Sequence, residues 1–194
     1  MIQWTLSLTV AFLFGQAIPE ERPDGSWLDR PVEWTMQTPE ILRVQRAGSD
    51  PKCDPTTRGP VTAAERLLRE AGWMLNRASK LTRSGGHSIE VVHAFLEFDS
   101  QCRDLQGQAF VFVDGRLIGT LSPRRMSART DGSLGDVSLS ESGGITAKFF
   151  RYGQSDGLCC PSKESVAVYS LIPNADTFSL KLVRVETRAL PQQR

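Results

Sequence analysis

The sequence predicts an α+β domain: a mainly antiparallel β-sheet built of hairpins, with one amphipathic helix packed on a face, stabilised by disulfides. Three observations carry that expectation. The C-terminal half alternates short apolar runs with Gly- and Asp-rich turns, the pattern of antiparallel hairpins. One stretch near residue 60 repeats its apolar residues at helical spacing behind a capping signature. Four cysteines follow an apolar N-terminus, an even count that reads as disulfides in an exported chain.

The helix is expected over 62–80. Thr62-Ala-Ala-Glu65 follows Pro60 and fits a capping box. Ala64, Leu67, Leu68, Ala71, Leu75 and Ala78 then recur on one face, with Arg66, Arg69, Glu70, Asn76 and Arg77 opposite. Ser84-Gly85-Gly86 is read as what ends it.

Strands follow. In residues 88–99, Val92, Ala94, Leu96 and Phe98 alternate on one face while Ile89, Val91 and Phe95 occupy the other, so both faces should be covered. Asp114-Gly115 joins 110–113 to 116–121, because a type I′ turn needs positive φ at both central residues. Ser142-Gly143-Gly144 joins 137–140 to 145–152, and residues 173–176 join 165–171 to 177–187. Short turns make neighbours antiparallel.

Three regions are expected: a signal peptide at 1–17, a proline-rich extended segment at 18–59 lying on the domain, and a single α+β domain at 60–190. The first 17 residues carry no charged side chain. Their apolar run, 6–14, is too short to span a bilayer, and Gly15-Gln16-Ala17 offers a cleavage site before Ile18. The next segment holds Pro19, Pro23, Pro31, Pro39, Pro51 and Pro55, which argues against regular structure. It also holds Trp27, Trp34, Ile41 and Leu42, which argue against a free tail; a short strand is expected near 41–45. The predicted location is secreted, periplasmic or in the cell envelope.

Cys53, Cys102, Cys159 and Cys160 are the expected disulfide residues. A bond between adjacent cysteines has poor geometry, so Cys53 and Cys102 are each expected to pair with one member of the Cys159–Cys160 pair. A bond from Cys102 would close a loop of roughly 60 residues, worth about 4 kcal/mol in the chain-entropy picture.

A net charge of +1, with basic residues scattered, gives no footprint for nucleic acid. No later segment reads as a membrane span. No P-loop, GxGxxG, HExxH, EF-hand loop or GxSxG elbow is present, so no catalytic residue, metal ligand or cofactor is expected. His87 and His93 lack a motif-spaced nucleophile and read as a loop and a structural histidine. Asp99, Asp104, Asp131 and Asp136 read as turn formers. Two stretches remain as a candidate recognition surface: the hairpin running into Arg124 and Arg125, and the loop carrying Asp156, Leu158, Pro161 and Ser162 around the cysteine pair. A rigid exposed loop loses little entropy on binding.

The run Phe112-Val-Asp-Gly-Arg-Leu-Ile-Gly-Thr-Leu-Ser-Pro123, the later Arg129-Thr-Asp-Gly132, and residues 145–152 leading into Leu158-Cys-Cys-Pro-Ser162 resemble the LppP/LprE lipoprotein-like family of bacterial envelope proteins. The likeness covers roughly residues 85–172. It implies an exported protein without an established activity, so no catalytic residues carry over. No cysteine precedes Cys53, so the lipobox of the lipoprotein members is missing. Lipid anchoring is not expected, and release by an ordinary signal peptidase is. The functional expectation is an exported, non-enzymatic module that binds an envelope or extracellular protein or glycan. The alternatives are a secreted hydrolase using His93 or His87, or a secreted inhibitor presenting the Cys159–Cys160 loop.

Overall fold

The computed structural model of the chain describes residues 26–29, 41–44 and 51–191. The expected signal peptide, residues 1–17, lies outside the described residues, as does most of the proline-rich segment.

The capping box forms as expected. Thr62 accepts from the Glu65 amide and Glu65 reaches back to the Thr62 amide, opening helix α1, Ala63–Glu70. The expected continuation to residue 80 does not occur. Gly72 adopts φ +97°, and a Cβ there would lie 2.3 Å from the Val44 carbonyl oxygen. The chain therefore turns at Ala71–Gly72, and the Val44 amide donates to the Ala71 carbonyl across the turn. Leu75, placed on the expected helix face, and Trp73 beside it are instead buried on an extended segment. Ser84-Gly85-Gly86 ends no helix. Gly85 and Gly86, both at positive φ, turn strand β1 (Lys80–Ser84) into β2 (His87–Ala94).

The other three hairpins stand as read. β5 (Gln108–Val113) meets β6 (Arg116–Thr120) through Asp114 and Gly115, at φ +49° and +78°. β7 (Ser133–Leu139) meets β8 (Ile145–Arg151), and β9 (Lys163–Pro173) meets β10 (Phe178–Ala189). The expected strand over 88–99 breaks at Phe95, and a small hairpin of β3 (Glu97–Phe98) and β4 (Asp104–Leu105) follows. Residues 41–44 form no strand; they are held by hydrogen bonds to the Ala71 carbonyl and from the Trp73 indole.

These strands make two four-stranded antiparallel sheets, ordered β1-β2-β5-β6 and β10-β9-β8-β7. The alternation in β2 explains the layering. Ile89 and Val91 join Val111, Val113, Ile145, Phe149, Ala167 and Tyr169 in a core between the sheets. Val92 and Ala94, on the opposite face, join Ala64, Leu68, Trp73, Phe110 and Phe112 in a second core beneath α1. Gly119 lets the second sheet close against the first: a Cβ there would stand 3.1 Å from Leu180 of β10. The buried Tyr169 hydroxyl donates to the Leu121 carbonyl, joining the sheets with a satisfied polar contact.

The disulfide pairing differs from expectation. Cys53 bonds Cys102, with sulfurs 2.15 Å apart, and Cys159 bonds its neighbour Cys160, at 2.21 Å. Cys53 is fully buried beside the β3–β4 hairpin, while both adjacent cysteines are exposed on a loop that neither partner reaches. Geometric preference against vicinal bonds gave way to proximity.

Candidate recognition site

Arg151, 9% exposed at the end of β8, organises the region in front of the sandwich. Its guanidinium takes Asp29 through two hydrogen bonds, at 2.6 and 3.0 Å, and Asp131 at 2.7 Å. Its charge is thus compensated on both sides, which a buried cation requires. Asp131 belongs to the Arg129-Thr-Asp-Gly132 motif. Gly132, at φ +85°, makes room for Trp27, since a Cβ would fall 2.7 Å from the indole nitrogen. Trp27 stacks edge-on against Phe149 at 5.0 Å. The motif therefore seats a piece of the proline-rich segment on the domain. Asp131 sits in a turn as expected, closed by the Ser133 amide on the Thr130 carbonyl, but its side chain goes to Arg151.

Residues 152–162 leave from Tyr152. Asp156 folds this loop on itself, accepting from the amides of Gly153 at 2.7 Å and Ser162 at 2.9 Å. Those hydrogen bonds hold the Asp156 carboxyl below its usual range. The Cys160 amide donates to the Gly157 carbonyl, and Leu190 donates to Ser162. Leu158 stands 63% exposed at the tip. Asp156, Cys159, Cys160, Pro161 and Ser162 line a cleft of about 500 Å³ closed by Leu190 and Pro191.

Arg124 and Arg125 are exposed in the turn after Ser122, whose hydroxyl donates to the Arg124 carbonyl. They line a separate cleft of about 540 Å³ with Met126, Asp131, Tyr152 and Gln154. The start of the cysteine loop and the arginine turn thus share one surface, whereas Pro161 and Ser162 border the other cleft.

The two histidines find carboxylates that no sequence spacing announced. His87 Nδ1 lies 2.6 Å from Asp114 of the β5–β6 turn, at the surface. His93 continues the Ile89–Val91 row to the open end of the inter-sheet core, where its Nδ1 is 3.6 Å from Asp104. Burial lowers its pKa to about 4, against the upward pull of Asp104, so it is neutral at pH 7. Asp104 also accepts from Asn76 at 2.9 Å. Each histidine lines a cleft, but no hydroxyl or thiol among the described residues hydrogen-bonds either ring. Among the described residues no cluster of three His, Cys, Asp or Glu side chains could hold a metal ion.

Fold and surface together define a small antiparallel two-sheet domain with one covering helix, crosslinked by disulfides and presenting a looped face. Residues 92–173 match the model of the LppP/LprE lipoprotein family, the family that the hairpin and Leu158-Cys-Cys-Pro-Ser162 motifs resemble. The match links the chain to envelope-associated proteins. No curated protein and no solved structure matches it. Among the described residues no helix is long and apolar enough to cross a membrane.

Proposed function

We propose that the protein is an exported, non-enzymatic envelope module that recognises an envelope or extracellular protein or glycan through the face formed by Arg124, Arg125 and residues 152–162. The observation that carries this reading is the loop itself: crosslinked at Cys159–Cys160, pinned twice by Asp156, and still exposed at Leu158. Preorganisation keeps the ordering cost of association low, and exposed Leu and Arg side chains supply contact area and charge. The hydrolase alternative has histidines in clefts, but among the described residues no nucleophile is hydrogen-bonded to either ring. The inhibitor alternative shares the same exposed loop and differs only in its partner.

The test is sedimentation of the purified protein with isolated envelope material from the cells that make it. Leu158→Asp, and Arg124→Glu with Arg125→Glu, should each keep the wild-type Tm and lose at least tenfold in binding, about 1.4 kcal/mol. Undiminished binding by both variants would retire this face.

A further inference from the structure

The open end of the inter-sheet core forms a further cleft, of about 310 Å³, which borders the arginine-turn cleft at Met126, Ser127 and Tyr152. Its wall includes Ala109, Leu121 and Phe149 of the core, and its polar groups come from both sheets and the loops between them. Two of those groups are buried without a hydrogen bond among the described residues. Ser133, at the start of β7, is 4% exposed and its hydroxyl makes no hydrogen bond. His93 Nδ1, from β2, makes no hydrogen bond either, the nearest Asp104 carboxylate oxygen standing 3.6 Å away. Leaving buried polar atoms unsatisfied costs free energy, and such atoms in a native fold call for an occupant.

The charge around these two atoms says what kind. Arg77, Arg103 and Arg129 line the cleft against a single carboxylate, Asp104. Arg103 is neutralised by Asp99, and Arg77 leans toward Asp104 at 4.0 Å. Arg129, half-buried and held at φ +61°, has no acidic partner among the described residues. Tyr152 sits at the same mouth. The Ser133 hydroxyl is a rotatable donor, the neutral His93 ring donates from Nδ1 in one of its two tautomers, and the one uncompensated charge is positive.

We propose that this cleft binds a small ligand through an oxyanion group, with Ser133 and His93 meeting it from the floor and Arg129 from the rim. The volume suits a phosphate or carboxylate with a short attached body. Guanidinium groups bind such oxyanions with charge-assisted hydrogen bonds. This site meets the face proposed above only at Tyr152; Ser133, His93 and Arg129, which would hold the ligand, lie outside that face.

The test follows the His93 ring signals of the intact protein by NMR during titration with inorganic phosphate and, separately, with acetate, at ionic strength fixed with chloride. A saturable shift with either anion, not reproduced by chloride alone, is the expected result. Saturation by phosphate only assigns a phosphate group, and saturation by acetate too assigns any small oxyanion. Arg129→Gln should weaken binding about tenfold, while Arg184→Gln, the same charge change on β10, should leave it unaltered. Ser133→Ala should weaken it further, read only after its Tm has been checked. No saturable shift with either anion, or equal binding by wild type and Arg129→Gln, would overturn the proposal and leave Ser133 and His93 to ordered water.

Discussion

At the scale of single residues, Glu65 concentrates more of the fold than any other charged group described. It is 1% exposed, and it serves Arg58, the amides of Val61, Thr62 and Ser79, and the helix cap at once. Burial alone would raise its pKa; the hydrogen bonds from Arg58, Val61 and Thr62 outweigh this and hold it at about 2. Its ionised form therefore stabilises the folded state fully above about pH 4.5, and that contribution fades as pH falls toward 2, a total of about 3 kcal/mol. Glu65→Gln should lose about 3 kcal/mol in urea unfolding at pH 7, leaving Arg58 without its counter-ion. The gap between wild type and variant should close between pH 4.5 and 2; a gap that stays constant would refute the assignment. His93 acts earlier on the same acid limb. Its folded pKa lies below the unfolded 6.5, so the unfolded chain takes up the proton first. Stability should fall as pH drops from about 6.5 toward 4 in both wild type and Glu65→Gln, and this part should vanish in His93→Gln.

At the scale of elements, turns were the legible part. Asp114-Gly115 and the Ser142-Gly143-Gly144 stretch set their hairpins because positive φ is a local demand that the residue type states by itself. The helix start was legible for the same reason, since Thr62 and Glu65 sit three apart. Its end was not. Apolar spacing continues through Leu75, and what stops the helix is Val44, far away in sequence, lying where a side chain at residue 72 would be. The hidden carboxylate partners follow the same rule: Asp104 reaches His93, and Asp131 reaches Arg151, only through tertiary pairing. Gly72→Ala tests this directly. If the helix were free to extend, alanine would stabilise it by about 1 kcal/mol. Here the positive φ and the clash with the Val44 carbonyl should instead destabilise the protein by about 2 kcal/mol or more, read as a lower midpoint in urea. A gain in stability would show that residues 41–44 do not rest on the turn.

At the scale of the whole molecule, the two crosslinks divide their labour. Cys53–Cys102 spans 49 residues and ties the segment ahead of α1 to the β3–β4 hairpin. In the chain-entropy picture a loop of that size is worth about 4 kcal/mol. Cys159–Cys160 has a sequence separation of 1, so it removes little freedom from the unfolded chain and can matter only for the shape of its own exposed loop. Had each adjacent cysteine bonded a distant one, as the sequence led us to expect, removing the pair would have cost global stability. The observed pairing separates the two effects. Cys53→Ser with Cys102→Ser should lower Tm by about 10 °C, whereas Cys159→Ser with Cys160→Ser should move it by about 3 °C or less. If the cysteine loop recognises a partner, the second variant should still lose binding to envelope material at nearly unchanged Tm. Non-reducing digestion followed by mass spectrometry checks the premise: one crosslinked peptide pair joining Cys53 to Cys102, and one linear peptide holding Cys159 and Cys160 two hydrogens lighter than its reduced form. A crosslink from either distant cysteine to the adjacent pair would reverse both expectations, since the exposed loop would then be an anchor of the fold.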